Sequence, residues 1–242
     1  MRVGDLGDCA RPLLFENEDE DYAYTFGGTC FLVFYGQHLF GVTAAHVVSN
    51  HQYEVKDIRI PPTFDNPRDF LPLRRVFRFD PADGGGTDYC DILILEINQA
   101  QLDPLSVNSL GAHDIAGDVN TPLSLHKGAR LLIRGYPGCI NSIDYAKKYV
   151  GSKALMITGI YREKSALEAN CHLFDFDGLT DAVAGANGMS GSPIFQVEQQ
   201  QKGSLARLVG LLTKGDDVGN LGYFVDASVL TEMLQRASDR LQ

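Results

Sequence analysis

The string Gly188-Met189-Ser190-Gly191-Ser192-Pro193 sets a serine between two glycines, at the close of a run of small residues that begins at Ala182. A serine hydroxyl is a poor nucleophile at neutral pH. It attacks a carbonyl only when an imidazole takes its proton and a third group holds that imidazole in one tautomer. The reaction also needs donors for the oxygen that turns negative. Flanking glycines let the backbone turn tightly and aim the N–H groups of Gly188 and Ser190 at that oxygen. The same string also suits a plain tight turn, so the chemical reading stands or falls on a base and an orienting carboxylate elsewhere in the chain.

Thr43-Ala44-Ala45-His46-Val47-Val48 offers the base. A lone histidine is more often a packing or turn residue, but here two alanines precede it at a strand end and leave room for an approaching side chain. The carboxylate comes from Asp88-Tyr89-Cys90-Asp91-Ile92-Leu93-Ile94-Leu95-Glu96-Ile97. An aspartate at the start of a nearly continuous apolar strand is partly buried and must find a hydrogen-bonding partner. Asp88 suits a turn as well as Asp91 does; Asp91 is preferred because it abuts the apolar run directly. The other histidines, His38, His51, His113, His126 and His172, read as surface or packing residues, since no two sit at a metal-ligand spacing on one element. Neither a metal nor a cofactor is expected.

The elements around these residues are mostly strands. Thr29-Cys30-Phe31-Leu32-Val33-Phe34-Tyr35, a Gly36-Gln37 turn and His38-Leu39-Phe40-Gly41-Val42-Thr43 make a hairpin that delivers His46. Arg74, Arg75 and Arg78 are interleaved with Val76, Phe77 and Phe79, as on an edge strand with solvated arginines. Residues 98–126 hold few strand signals and suit a connection between two halves. Strands resume at 128–138, 155–161 and 171–176; those at 194–197 and 208–213 follow the serine and are joined by a polar hairpin loop at 198–203. Near the end the period changes: Val229, Leu230, Met233, Leu234 and Ala237 fall at helical spacing, with Asp226 or Ser228 available as N-cap. The expected class is all-β with one C-terminal α-helix.

Composition narrows the partners. The 242 residues have ordinary globular values of 44% hydrophobic and 21% charged residues, and a net charge of −10. That sign repels phosphate backbones, so nucleic acid is not an expected partner. Much of the charge lies in Glu16, Glu18, Asp19, Glu20 and Asp21, read as a solvated N-terminal face. Cys9, Cys30, Cys90, Cys139 and Cys171 are dispersed and odd in number, which argues against a disulfide framework and for a reducing compartment. Met1 to Phe15 carries no apolar core of signal-peptide length and no segment reaches membrane-spanning length. A cytoplasmic protein with no membrane partner is expected.

His46, Asp91 and Ser190 run in the chain order of the chymotrypsin lineage; subtilisin-like enzymes place the aspartate first and α/β-hydrolases the serine. The chain resembles a chymotrypsin-fold serine peptidase, in particular the disulfide-free bacterial branch that includes glutamyl endopeptidases and high-temperature-requirement proteases. The matching text is Thr43-Ala44-Ala45-His46, Asp91-Ile92-Leu93-Ile94-Leu95, Gly135-Tyr136-Pro137-Gly138 and Gly188-Met189-Ser190-Gly191-Ser192-Pro193, within residues 27 to 237. The resemblance implies two six-stranded antiparallel β-barrels with the site in the cleft between them. Residues 1–115 would carry His46 and Asp91, and residues 116–242 would carry Ser190.

By the same resemblance His46 is general base and then general acid, Asp91 orients it, and Gly188 and Ser190 form the oxyanion hole. The primary specificity pocket falls near Ala184, with walls near Lys214-Gly215 and Gly222, and Thr213 stands where relatives keep a hydroxyl near the aspartate. Small residues at Ala184, Gly215 and Gly222 point to an apolar pocket for a hydrophobic side chain. Asp216 and Asp217 at its rim leave room for a basic one. Val47 replaces the cysteine of secreted members, and Met189 replaces the aspartate that pairs with a cut N-terminus, so activation by N-terminal cleavage is not expected. The expected activity is endopeptidase cleavage of a protein or peptide substrate. Its rival is a latent or regulatory binding module on the same fold, which needs a protein partner to assemble its oxyanion hole.

Overall fold

A computed structural model of the chain describes residues 6, 8–19, 21–50, 53–63, 69–79, 91–118, 124–146, 149–177, 187–200, 203–216 and 220–241. The first part holds β1 (Ala10–Glu16), β2 (Tyr24–Tyr35), β3 (His38–Ala44), the short helix α1 (Ala45–Ser49), β4 (Ile58–Arg59), β5 (Leu73–Phe77) and β6 (Ile92–Ile97). A connection follows with α2 (Pro104–Ser109), β7 (His113–Asp114) and α3 (Ile115–Asp118). The second part holds β8 (Arg130–Gly135), β9 (Ser142–Asp144), β10 (Tyr149–Gly151), β11 (Leu155–Lys164), β12 (Cys171–Asp177), β13 (Pro193–Gln200), β14 (Gly203–Asp216), β15 (Leu221–Asp226) and the terminal helix α4 (Ala227–Asp239).

The second part is a closed six-stranded barrel in the order β11-β12-β15-β14-β13-β8. The first part is a curled half-barrel sheet, in keeping with the expected two-barrel class. Its antiparallel strands run β4-β1-β2-β3-β6-β5, with β7 added parallel to β2, and no ladder joins β4 to β5 among the described residues. The bond across that seam is Leu71 N–H to the Ile60 carbonyl at 2.8 Å. Among the described residues β5 is therefore an edge strand, as its interleaved arginines predict. Arg74 and Arg75 lie 3.3 and 3.7 Å from Glu96, a buried carboxylate on β6.

The apolar run of β6 is buried at all six positions, since it lies inside the sheet and is covered on both faces. The core continues across both parts. Phe31, Phe40, Ile94 and Leu95 belong to one cluster with Leu132, Phe195 and Leu211 of the barrel and with Val229, Leu230, Met233 and Leu234 of α4. The terminal helix thus lays its apolar face back on the first sheet, where Tyr35 hydrogen-bonds Gln235. Among the described cysteines all are free thiols, and burial pushes Cys9 and Cys30 up to about 12. Cys90, His51 and Asp88 lie outside the described residues.

Asp226 settles the cap of α4: its Oδ1 accepts the Ser228 N–H at 2.7 Å. Its Oδ2 lies 3.0 Å from His172 Nε2, and Tyr161 donates its hydroxyl to His172 Nδ1 at 3.0 Å. Burial pushes the Asp226 carboxyl up, but hydrogen bonds from His172 and Ser228 outweigh it and hold the group down, from 3.8 to about 2. A depressed carboxylate stabilises the fold above its unfolded value and loses that contribution as pH falls toward its folded one. Wild-type stability should therefore drop between about pH 4 and pH 2 more steeply than that of Asp226→Asn. Asp226→Ala should cost roughly 2–4 kcal/mol at neutral pH, through a lost cap and a buried His172 N–H without an acceptor. Urea unfolding across this pH range tests both; a change under 1 kcal/mol for the alanine variant would refute the second.

Candidate active site

The register of β3 against β6 assembles the first half of the site. Ala44 pairs with Ile92, so the residues just past the end of β3 meet those just before β6, and His46 in the first turn of α1 falls beside Asp91. The Asp91 carboxylate lies 2.8 Å (Oδ1) and 3.0 Å (Oδ2) from His46 Nδ1 and also accepts the His46 backbone N–H at 3.1 Å. An ionised carboxylate can only accept, so Nδ1 carries the proton and Nε2 is left with its lone pair. The two side chains remain about a third and a quarter exposed, at 32% and 26%.

Ser190 sits in the turn that leads into β13. Gly191 N–H donates to Leu212 at 2.8 Å and Ser192 N–H to Met189 at 3.0 Å. The Met189 side chain is fully buried in the core of the second barrel, which anchors the turn where an aspartate is absent. The Asn187 carbonyl accepts from Gly138 N–H at 2.9 Å. Because C=O and N–H of one trans peptide point in opposite directions, the Gly188 N–H of that unit faces away from Gly138. Gly188 has φ +86°, and a Cβ there would lie 2.7 Å from Gly138 N and 2.8 Å from the Tyr136 carbonyl oxygen. Both features need glycine.

The turn docks on the first sheet through Thr29 of β2, a residue to which the sequence pattern assigns no role beyond its strand. Thr29 Oγ1 donates to the Gly188 carbonyl and accepts from Tyr136 N–H, both at 2.8 Å. Thr29 N–H reaches the Ser190 carbonyl at 3.3 Å, and the Thr29 carbonyl accepts from Thr43 Oγ1 at 2.7 Å. One side chain therefore ties β2, the turn after β8 and the serine turn together. The only local signal was a hydroxyl in an apolar strand beside Gly27-Gly28, where a buried polar group must find partners.

The Ser190 hydroxyl donates to the Thr213 carbonyl at 3.0 Å and makes no hydrogen bond to His46. Thr213 Oγ1 donates to the Tyr223 carbonyl at 3.3 Å rather than to Asp91. His46, Asn50 and Asp91 nevertheless share one groove of about 450 Å³ with Glu168, Thr213, Lys214 and Val225. Of the residues expected at the specificity pocket, Thr213 and Lys214 line this groove. Gly215 and Gly222 pair with each other across β14 and β15 and do not line it. The space beside Gly222 is filled by the Phe174 ring; Ala184 and Asp217 lie outside the described residues. Lys214 and Glu168 form a loose, exposed ion pair at 4.0 Å.

No protein-family model matches the chain, and no curated protein matches its sequence. Its structure is similar to the crystal structure of the inactive form of the Rv3671c protease, at a TM-score of 0.52 and 15% identity, covering 97% of this chain and 91% of that one. The fold is chymotrypsin-like. At that identity the likeness carries the fold alone, and the chemistry rests on the residues of this chain. The chymotrypsin-like frame is consistent with one closed barrel, one curled sheet and a groove between them that holds His46 and Asp91 from one side and Thr213 from the other. Among the described residues no helix is long and apolar enough to cross a membrane.

Proposed function

We propose that the chain is a serine endopeptidase that hydrolyses peptide bonds through an acyl-enzyme. His46, Asp91 and Ser190 would be its triad, and the N–H groups of Gly188 and Ser190 its oxyanion donors. The observation that carries the reading is the Asp91–His46 pair: a carboxylate that takes both Nδ1–H and the backbone N–H leaves Nε2 as a base facing the groove. Ser190 would turn its hydroxyl from Thr213 to Nε2, attack the carbonyl carbon, and pass its proton through His46 to the leaving amine. Water, deprotonated by His46, would then release the acyl group. The preference for a hydrophobic side chain would rest on the small residues of the sequence, since the Phe174 ring that fills the space beside Gly222 is fully buried. The free buried thiols of Cys9, Cys30 and Cys171 suit a reducing, cytoplasmic setting.

A second reading is a latent module that a regulatory protein partner completes. The Ser190–Thr213 hydrogen bond favours it, since the nucleophile's proton is committed away from the base. Labelling with a fluorophosphonate separates the two. Rapid adduct formation on Ser190 of the isolated protein, located by mass spectrometry, is expected for the peptidase; well-folded protein that stays unlabelled would sink that reading and favour the latent one.

A further inference from the structure

The carbonyls of residues 187 to 190 run through the serine turn, and each has a donor. The Asn187 carbonyl accepts from Gly138 N–H at 2.9 Å and the Met189 carbonyl from Ser192 N–H at 3.0 Å. The Gly188 and Ser190 carbonyls both accept from Thr29, the first from its hydroxyl at 2.8 Å and the second from its N–H at 3.3 Å. Three of these donors are backbone groups; the Thr29 hydroxyl is the one side chain. The N–H groups of Gly188 and Ser190, in contrast, donate to no atom among the described residues.

A peptide unit is planar with its C=O and N–H opposed, so a tied carbonyl aims the N–H of the same unit. Gly138 thereby aims Gly188 N–H, and Ser192 aims Ser190 N–H. Whether the two converge on one place depends on the unit between them, which joins Gly188 to Met189. Gly188 offers that unit little restraint of its own: it sits at φ +86°, and glycine takes either sign of φ at little cost. The Thr29 hydroxyl supplies the restraint. Thr29 is fully buried. Its oxygen accepts Tyr136 N–H at 2.8 Å, and its single proton goes to the Gly188 carbonyl. Thr43 fixes Thr29 in turn, through a hydroxyl that donates to the Thr29 carbonyl at 2.7 Å.

We propose that Thr29 is a positioning residue for the hydrolysis: its hydroxyl locks the peptide plane between the two oxyanion donors, so that both meet the same oxygen. It touches neither substrate nor the reacting atoms and acts through the turn alone. Its effect on rate rests on the peptidase reading, whereas its hold on the turn rests only on the hydrogen bonds. Valine has nearly the same shape but neither donates nor accepts, so it would leave the Gly188 carbonyl and Tyr136 N–H unpaired and the plane free to rotate.

Two measurements on the whole chain test it. The first is steady-state kinetics of Thr29→Val and Thr29→Ser on a peptide found by library cleavage. Thr29→Val should lower kcat about 10²-fold, the size of loss expected when one oxyanion donor is misaimed. KM should change by less than about threefold, and the pH profile should not move, since Thr29 hydrogen-bonds neither His46 nor Asp91. Thr29→Ser, which keeps the hydroxyl, should return to within about fivefold of wild type. Gly128→Ala, destabilised outside the turn, should keep the wild-type kcat. A Thr29→Val loss carried by KM alone, or a serine variant no better than the valine one, would overturn the proposal. The second measurement reads the turn without any chemistry, by amide hydrogen exchange followed by NMR. In Thr29→Val the N–H groups of Gly138, Gly191 and Ser192 should exchange about tenfold faster relative to those of β11 and β12, and in Thr29→Ser they should not. That pattern supports the hold of Thr29 on the turn even if the wild type neither labels nor cleaves, in which case only the peptidase reading fails. Unchanged exchange at these three amides overturns the positioning role itself.

Discussion

Ser190→Ala and His46→Ala are each expected to lower kcat/KM by about 10⁵- to 10⁶-fold, and the double variant to lose scarcely more. In the proposed triad the three groups act as a unit. Without the base the hydroxyl keeps its proton, and without the hydroxyl the base has nothing to activate. Asp91→Asn should cost about 10⁴-fold for a different reason. Asp91 now accepts from Nδ1 and from the His46 backbone N–H, whereas an amide in its place can satisfy the backbone N–H only with its oxygen. Its NH₂ then faces the ring, and the favoured tautomer puts the proton on Nε2, where it blocks the serine. The check is steady-state kinetics on a peptide found by library cleavage, with folding verified by urea unfolding. Losses that multiply in the double variant, or an Asp91→Asn enzyme within tenfold of wild type, would contradict the triad.

Much of this site could be read from the chain because its residues sit at element ends that announce themselves. A continuous apolar run makes β6, an aspartate stands at its start, and a hairpin delivers His46 two residues past the end of its neighbour strand. Helical spacing gave α4, and Asp226 proved to be its cap. What was hidden depends on contacts distant in sequence. β1 is masked by Pro12, which ordinarily argues against an inner strand. β4 pairs only with Leu14 and Phe15, so the missing N–H of Pro12 faces no ladder on that side. His113 and His172 read as packing residues and are buried, but each also holds an aspartate, at 2.6 and 3.0 Å. The role of Thr29 arises from partners in the other half of the chain, at Tyr136 and Gly188. No local pattern encodes that meeting.

The same meeting predicts the largest effect on stability. Gly191 has φ +90°, and a Cβ on it would land on the Thr29 carbonyl oxygen and lie 2.6 Å from Thr43 Oγ1. A backbone oxygen cannot rotate aside, so the added methyl must push the serine turn off β2. Gly191→Ala should therefore cost roughly 3–5 kcal/mol, the sum of left-handed strain and overpacking. Gly128→Ala is the control, because Gly128 has φ +85° with nothing within 4 Å of the added Cβ; strain alone should cost about 1–2 kcal/mol there. Equal losses in the two variants, measured by urea unfolding, would show that the turn does not bear on β2. If the difference appears, labelling of Gly191→Ala by a fluorophosphonate should fall as well. Shifting the turn breaks the Thr29 hydrogen bonds to Gly188 and Ser190 and so misaims the N–H groups that would receive the oxyanion. In this molecule one of the contacts that join the two halves also shapes the turn of the proposed nucleophile, so an activity loss in Gly191→Ala without a stability loss would contradict the coupling.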